Sequence, residues 1–554
     1  MFACENNDFL VHLEGRVYNV DDARLATELL SLSQRLFQEH IGQTSFLTRW
    51  LLEVEGDFLL VLVNKADGRI AVMNDVFGHL PTYYHLQDNL LILSRDLGSV
   101  TKALGKATFD RMGLAQYLLL GFSLGKRSLF AGIEYLEPAS LLTISPADAS
   151  MKVSKLYEFN LEGEEHGHRS PAENAHNLAG LFRQACRQRA GKIGENVVSL
   201  SGGLDSRAVA AGLWGEGIPL AAASFLDHRR GNAADFEVAA QVAQSLGVEW
   251  RGFHLRPPQG RDLLSLLSIK GGLNNLGMSF ILPFFHQLLE SFGTPLTYFT
   301  GDAGSDTVCV SYPHREVESL ETLARYIIDR NRIFSLEEVA ALTCLHSREI
   351  LDETIAHVTS YPETSLDRKY KHFFCLEVAT KMYHEGEDRN RHFFWSVTPF
   401  YSFEFFHYAM NCPDRDKQGY RLYREFLAQL HPDVGGIDYA DWQAPLSSLK
   451  FSLLYQAKNL TRRRPNYIRR LRKLCKLYDT VNPASNILAC LRDQNHTCDP
   501  ISHYLDPRFL AQVLARPQTF DKRQIWTLLT ITSTLAYYTC PRPLGDDFLD
   551  RDFV

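Results

Sequence analysis

Apolar and polar positions alternate with the short period of β-strands through much of the first 155 residues. Phe9–Leu13 alternates into Glu14-Gly15-Arg16 and Val17-Tyr18-Asn19. Phe58–Val63 is wholly apolar and ends at the turn Ala66-Asp67-Gly68; Ile70–Met73 and Asn89–Ser94 follow. These spacings predict antiparallel hairpins, with helices over 22–39 and 109–119 where the period lengthens. The polar, breaker-rich stretch Leu161–Pro171 predicts a linker, and a helix over roughly 172–190 follows it. The pattern then changes. Asn196–Leu200, Leu220–Phe225 and Trp250–Leu255 read as strands, and Ser206–Trp214 and Ala233–Leu246 as helices between them. Such alternation predicts a parallel sheet covered on both faces. Beyond about residue 315 the periodicity is mostly helical, and there is no internal repeat.

Composition narrows the class without naming a chemistry. The 554 residues allow two to four domains, and 45% hydrophobic content is ample for packed cores. No apolar run approaches the roughly 20 residues that span a bilayer, and the first residues carry no secretory pattern. The ten cysteines are sparse and irregularly spaced, as expected of reduced thiols in a cytoplasmic protein. A net charge of −7 argues against a nucleic-acid coat protein.

The chemistry is concentrated in Ser201-Gly202-Gly203-Leu204-Asp205-Ser206, between a strand and a helix. Glycines admit an anion close to the backbone, the helix N-terminus points free N–H groups at it, and the serines add hydroxyl donors. Asp205 supplies a carboxylate suited to Mg²⁺ on bound phosphates.

At these residues the chain resembles the asparagine synthetase family of ATP-dependent amide ligases, whose pyrophosphatase loop holds the triphosphate while a carboxylate is adenylated. The resemblance implies ATP and Mg²⁺ as cofactors. It implies that Leu200, Ser201, Gly202, Gly203, Asp205, Ser206 and Phe225 contact the nucleotide. Tyr298-Phe-Thr-Gly301-Asp302-Ala303-Gly304-Ser305-Asp306 looks like the second phosphate loop, bringing in Gly301, Gly304 and Ser305 and making Asp306 share the metal with Asp205. Val397-Thr-Pro399-Phe400-Tyr-Ser402 resembles a Val-Pro-Phe-Leu-Asp segment, with Ser402 in place of the Asp. Upstream, Glu14–Asn19, Gly56-Asp57-Phe58, Asn74–Tyr84, Ser94-Arg95-Asp96 and Leu129–Pro138 resemble the family's glutamine amidotransferase domain.

The departures matter as much. The family's glutaminase uses an N-terminal cysteine as nucleophile. Here Cys4 is the candidate, the family's first hairpins are expected to be missing, and Asn-Gly-Glu is replaced by Glu14-Gly15-Arg16. Loss of glutamine hydrolysis is the expectation. In the second half either Asp302 or Ala303 stands where relatives carry a catalytic side chain, and a carboxylate there would orient or deprotonate an amine. No lysine stands at the family's place near Asp438–Pro445; Lys450 is the nearby one. Lys381, Tyr383, Glu385, Glu387, Asp388 and Arg389 form a polar cluster, of which Glu387 and Arg389 are candidate site residues. Residues 458–476 hold nine basic residues and no acidic one, a solvated helix face or a docking patch for a precursor peptide or partner protein.

The expectation is therefore two domains. A truncated, amidotransferase-like α+β sandwich covers about 1–165, and an α/β adenylating domain with helical additions covers 166–554. The activity expected is amide-bond formation from a small-molecule or peptide carboxylate and an amine, with no membrane partner. Ring closure of a peptide, as in lasso-peptide cyclases and β-lactam synthetases, is the leading specific form. An ammonia-using asparagine synthetase and a non-catalytic nucleotide-binding scaffold are the alternatives.

Overall fold

A computed structural model describes residues 2–38, 44–87, 90–105, 107–147, 150–191, 194–309, 312–462, 485–497, 499–540, 549 and 551–553. Most of the basic segment 458–476, and with it any docking role, lies outside the described residues, as do the side chains of His496 and Cys498. Lys458 at its start is described, with its ammonium over the Trp442 ring at 4.3 Å.

The N-terminal strands are β1 (Phe2–Glu5), β2 (Phe9–Val17), β3 (Gly56–Asn64), β4 (Ile70–Asn74), β5 (Tyr83–Gln87), β6 (Leu90–Ser94), β7 (Ile133–Tyr135), β8 (Ser140–Ser145) and β9 (Ser150–Lys155). They form a six-stranded antiparallel sheet, β1-β2-β3-β4-β8-β9, and a three-stranded one, β6-β5-β7. The unbroken apolar run of β3 has a simple cause. Phe58, Leu60 and Leu62 face helices Asp22–Gln38 and Ser45–Glu53, while Leu59 and Val61 face the second sheet through Leu80, Tyr84 and Leu136. Both faces are buried, so alternation disappears. The missing first hairpin is corrected here: β1 pairs antiparallel with β2, from Phe2↔Leu13 to Glu5↔Leu10.

A second unit is built on β10 (Glu195–Ser199), β11 (Ala221–Leu226), β12 (Glu249–His254), β13 (Leu296–Phe299) and β14 (Trp395–Val397). All its pairings are parallel, in the order β12-β11-β10-β13-β14. Helices Leu204–Gly215 and Ala233–Leu246 make the crossovers to β11 and β12. Ala222 on β11 and Ala208, Ala210 and Ala211 on the first of these helices lie in one core, where small side chains let helix and sheet approach closely. After β12 the chain returns across β10 to lay down β13 on its other side. The order reverses at β10/β13, and in such sheets the crevice at the carboxyl ends of the two diverging strands is where ligands bind.

The rest of the second half is largely helical. It includes Leu320–Asn331, Ser347–Thr359, Lys522–Thr539, and a stretch with π-helical turns at Phe373–Glu377 and Ala379–Tyr383 that runs into helix His384–Asn390. No described helix is long and apolar enough to cross a membrane. The segment expected as a linker is held down: Leu161 N–H donates to Glu363 at 2.9 Å, Leu161 is buried, and Ser170 and Glu173 form a capping box at the helix start. Cys4, Cys186, Cys375 and Cys412 are free thiols, whereas Cys540 is disulfide-bonded, a departure from the uniformly reduced state expected.

Candidate active site

Two loops meet at the crevice. The first leaves β10 as Leu200–Gly203 and enters helix Leu204–Gly215; the second leaves β13 as Thr300–Ala303 and enters the short helix Gly304–Val308. Their contact leaves no room for side chains at two glycines. A Cβ on Gly301 would lie 2.5 Å from Ser206 N, and one on Gly304 would lie 2.6 Å from the Asp205 carboxyl. The first loop is tied internally. Ser201 N–H donates to Ser206 Oγ at 3.0 Å, the two hydroxyls are 2.9 Å apart, and Gly203 N–H donates to Ser201 Oγ at 3.2 Å.

The next residue, Arg207, is the brace of this loop, and its role was not read from the sequence. It is fully buried. Its guanidinium donates to five backbone carbonyls, those of Gly202 (3.0 Å), Gly203 (2.9 Å), Val434 (3.1 Å), Ile437 (3.0 Å) and Asp438 (2.9 Å). Burial lowers its pKa to about 10. Arg207 thus staples the loop to the segment after helix Arg421–Leu430, and Ala440 N–H adds a bond to Gly202 O.

Acidic groups gather where the loops meet. Asp205 accepts from Tyr423 Oη at 2.7 Å and from Ser305 Oγ at 3.0 Å; burial raises its pKa and these bonds hold part of the rise back. Asp306 accepts from Tyr383 Oη at 2.6 Å, and burial, with Asp205 nearby, pushes it up to about 6. Tyr383 and Tyr423 were not predicted in these roles. The π-helical turn ending at Tyr383 sets that residue against the second loop. A pair of crowded carboxylates with raised pKa values, surrounded by hydroxyls, is an oxygen-only donor set that fits a hard divalent cation. Among the described residues no group of three or more His, Cys, Asp or Glu is laid out to hold a metal.

A second acidic group lies beside it. Burial and the charge of Glu387 push Asp302 up to about 7, opposed by Arg389. Burial also raises Glu387, whose carboxylate accepts from the hydroxyls of Thr300 and Ser396. Arg389 is buried and stacks over Phe285 at 5.7 Å. Of the two candidates at the second loop, Ala303 adopts φ 69° as the helix cap, and the charges of Glu387 and Arg389 act on Asp302. Lys450 is not brought to this group. It is exposed on helix Leu449–Arg462 and its ammonium donates to Gln443 O at 2.6 Å.

On the other side of the first loop a cleft of about 650 Å³ opens toward solvent. Leu200, Ser201 and Phe225 line it, beneath Phe280, Trp526 and Phe553. Its size and aromatic lining suit a small ligand.

The amidotransferase half contains no activated nucleophile at Cys4. The thiol lies on β1, its Sγ is 3.9 Å from Ala26 O, and burial raises its pKa. Glu14 pairs with Arg95, which also pairs with Asp388. Ser402 donates to Glu55 at 3.2 Å, and Glu55 pairs with the buried Arg189.

Residues 2–157 match the family model of a glutamine amidotransferase domain. Among solved structures, the chain is similar to glutamine phosphoribosylpyrophosphate amidotransferase from B. subtilis complexed with ADP and GMP. That likeness has 11% identity, covers 67% of this chain and 78% of the other, and has a TM-score of 0.19. It is similar as well to the allosteric regulatory enzyme of purine biosynthesis, at 11% identity over 70% of this chain and 73% of the other, with a TM-score of 0.20. Superpositions at these scores carry no argument about the fold. No curated protein matches the chain.

Proposed function

We propose that the protein is an ATP-dependent amide ligase that adenylates a carboxylate, releases pyrophosphate and passes the acyl group to an amine with release of AMP. One observation carries the reading: the Ser201–Ser206 loop sits at the reversal point of the parallel sheet, with Asp205 and Asp306 side by side. The loop N–H groups and serine hydroxyls are donors for the departing pyrophosphate, already in place before charge develops. Mg²⁺ held by Asp205 and Asp306 would neutralise phosphate charge. Asp302, pushed up to about 7, is the group suited at neutral pH to take the proton that an amine gives up as its nitrogen bonds to the acyl carbon and AMP leaves. Arg389 then faces the acyl side.

The amine source follows from the first domain. A raised Cys4 thiol and an Arg95-occupied Glu14 argue against glutamine as donor. The amine is then ammonia or part of the substrate, and intramolecular ring closure of a peptide is the form we favour, with a free-ammonia asparagine synthetase as the competing reading. ATP–pyrophosphate exchange tests the class. Exchange that depends on a carboxylate and is lost in Asp205→Asn supports it; absence of exchange with aspartate and with peptide carboxylates alike overturns it in favour of a nucleotide-binding scaffold. Asparagine release from aspartate and ammonia sinks the ring-closing form alone.

A further inference from the structure

The stretch that runs into helix His384–Asn390 leaves the α-helical register twice, at Phe373–Glu377 and again at Ala379–Tyr383. Turns of this wider kind are rare and recur at functional sites, because each moves the side chains that follow onto a new face. Here each turn sends one side chain to the same residue of the second loop. Cys375 Sγ donates to Asp306 O at 3.2 Å, and Tyr383 Oη donates to the Asp306 carboxylate at 2.6 Å. Among the described residues no other side chain bonds to that carboxylate, whereas Asp205 is held by both Tyr423 and Ser305.

The same stretch is gripped from the first domain. Its Glu377 accepts from Gly125 N–H at 2.7 Å. Its Lys381, four residues on, donates to Gly125 O at 2.5 Å and holds its ammonium over the Tyr135 ring at 3.8 Å. Two side chains of the stretch thus take both polar groups of one backbone residue. His357 pairs with Glu377 at 3.3 Å. Burial alone would raise Glu377, yet His357 and Lys381 hold it down to about 2, so it grips as a carboxylate at neutral pH.

We propose that Tyr383 is a positioning residue for the divalent cation, and that Glu377 and Lys381 set the helical register that brings it to Asp306. The first domain then governs metal affinity in the second through Gly125. The inference rests on the ATP and Mg²⁺ reading above. A carboxylate that ligates a metal is oriented by the partner behind it, and losing such a partner typically costs about 10–100-fold in metal affinity. Asp306 has one such side chain and Asp205 has two, so Tyr383 matters more to the metal than Tyr423 does.

Mn²⁺ titration of the full chain, with and without ATP, tests this. Water-proton relaxation reads the protein-bound ion apart from free Mn²⁺ and Mn·ATP. Tyr383→Phe should weaken Mn²⁺ binding about 10–100-fold with little change in melting temperature, and Tyr423→Phe should weaken it less. Lys381→Met should weaken Mn²⁺ binding in wild-type protein and add little in Tyr383→Phe, because both changes break one chain of contacts. Lys381→Gln keeps a donor for Gly125 O and should lose less. If Mn²⁺ binding depends on Asp205 yet is unchanged in Tyr383→Phe, the positioning role is wrong and the ATP reading stands. If Lys381→Met weakens Tyr383→Phe as much as it weakens wild-type protein, the register does not act through Tyr383, and the control from the first domain is overturned. If wild-type protein binds no Mn²⁺ even with ATP, both the proposal and the reading beneath it fall.

Discussion

Replacing Arg207 is the most direct probe of how the phosphate loop is held. The guanidinium makes five bonds to carbonyls on two separate segments, and burial outweighs the offset that Asp438 and two nearby tyrosines provide. A hydrogen bond from a charged donor contributes about 1.5–3 kcal/mol, and losing one such partner strands the other. The bonds are not additive, because the carbonyls of 434–438 relax toward water once the side chain is gone. A loss of about 3–5 kcal/mol is expected for Arg207→Ala, the range for removing one member of a buried charged set. Arg207→Lys keeps the charge but has too few donors for five carbonyls, and should cost about 2 kcal/mol. In a domain of this size the alanine variant should melt on the order of 10 °C lower. The functional consequence separates from stability below the melting range. With the loop unstapled, KM for ATP in pyrophosphate exchange should rise for both variants at 20 °C, whatever carboxylate is supplied. Arg207→Lys with unchanged melting and unchanged KM would refute the reasoning, since it would mean the five bonds neither hold the fold nor shape the loop.

Asp306→Asn should abolish pyrophosphate exchange while leaving the melting temperature unchanged or higher, because it removes a buried charge that the ligand-free protein does not need; lower stability by calorimetry would contradict this. The pH dependence follows from the same groups. Asp302 and Asp306 have folded pKa values of about 7 and about 6, above their ordinary value, so their favourable contribution is present below about pH 4 and is lost as pH rises through 6–7. Ligand-free protein should therefore lose stability between pH 5 and 8 relative to the Asp302→Asn/Asp306→Asn variant, and Mg·ATP should reverse that loss. Glu387→Gln should lower the acidic limb of the amide-forming rate by about one unit, as expected for removing a neighbouring negative charge; an unshifted limb means Asp302 is not the titrating group. Lys270 is buried between Glu385 at 2.6 Å and Asp388 at 2.5 Å, and Lys270→Met should cost about 3–5 kcal/mol by taking the ion-pair partner from Glu385 and leaving Asp388 to Arg95, as read by thermal unfolding. Cys4→Ala should leave amine-dependent product formation unchanged.

What could be read from the sequence was what local patterning determines. The Ser201–Ser206 loop stands out because a β-period breaks into a helical one at two glycines. Phe225 and Asp306 were named by the family resemblance, the first at the end of a strand and the second in the short helix Gly304–Val308. Arg207 also had a visible signal, a charge within the small apolar helix Leu204–Gly215, but three of its five acceptors are backbone carbonyls more than 225 positions away and leave no trace in composition. Tyr383 and Tyr423 were hidden for the same reason. The first reaches Asp306 through a π-helical turn, a change of helical register that periodicity does not reveal. Lys450 is exposed and its ammonium is engaged by Gln443 O in the turn that precedes its helix. The β1–β2 hairpin was overlooked because a four-residue strand beside polar Asn6 and Asn7 carries too little alternation to register.

The N-terminal unit also has a structural role toward the second one. Helix His384–Asn390 and the residue after it carry Glu385, Glu387, Asp388, Arg389 and Arg391, a density of charge that is costly to bury unpaired. The first domain supplies much of the compensation. Tyr83 donates to Glu385, Arg95 pairs with Asp388, and Arg391 pairs with Asp57 at 2.6 Å and donates to His79 O at 2.6 Å. Burial alone would raise Asp388, yet Lys270 and Arg95 hold it down to about 2. Asp57 is likewise held below its ordinary value by His79, Arg391 and Arg189 against its burial. The N-terminal sheets therefore fix the charge state and position of the helix that presents Glu387 and Arg389 to Asp302. A change at Asp57 should accordingly be felt at the candidate site: its charge helps to raise Glu387 while Arg391 opposes the rise, so Asp57→Asn should leave Glu387 more often charged beside Asp302.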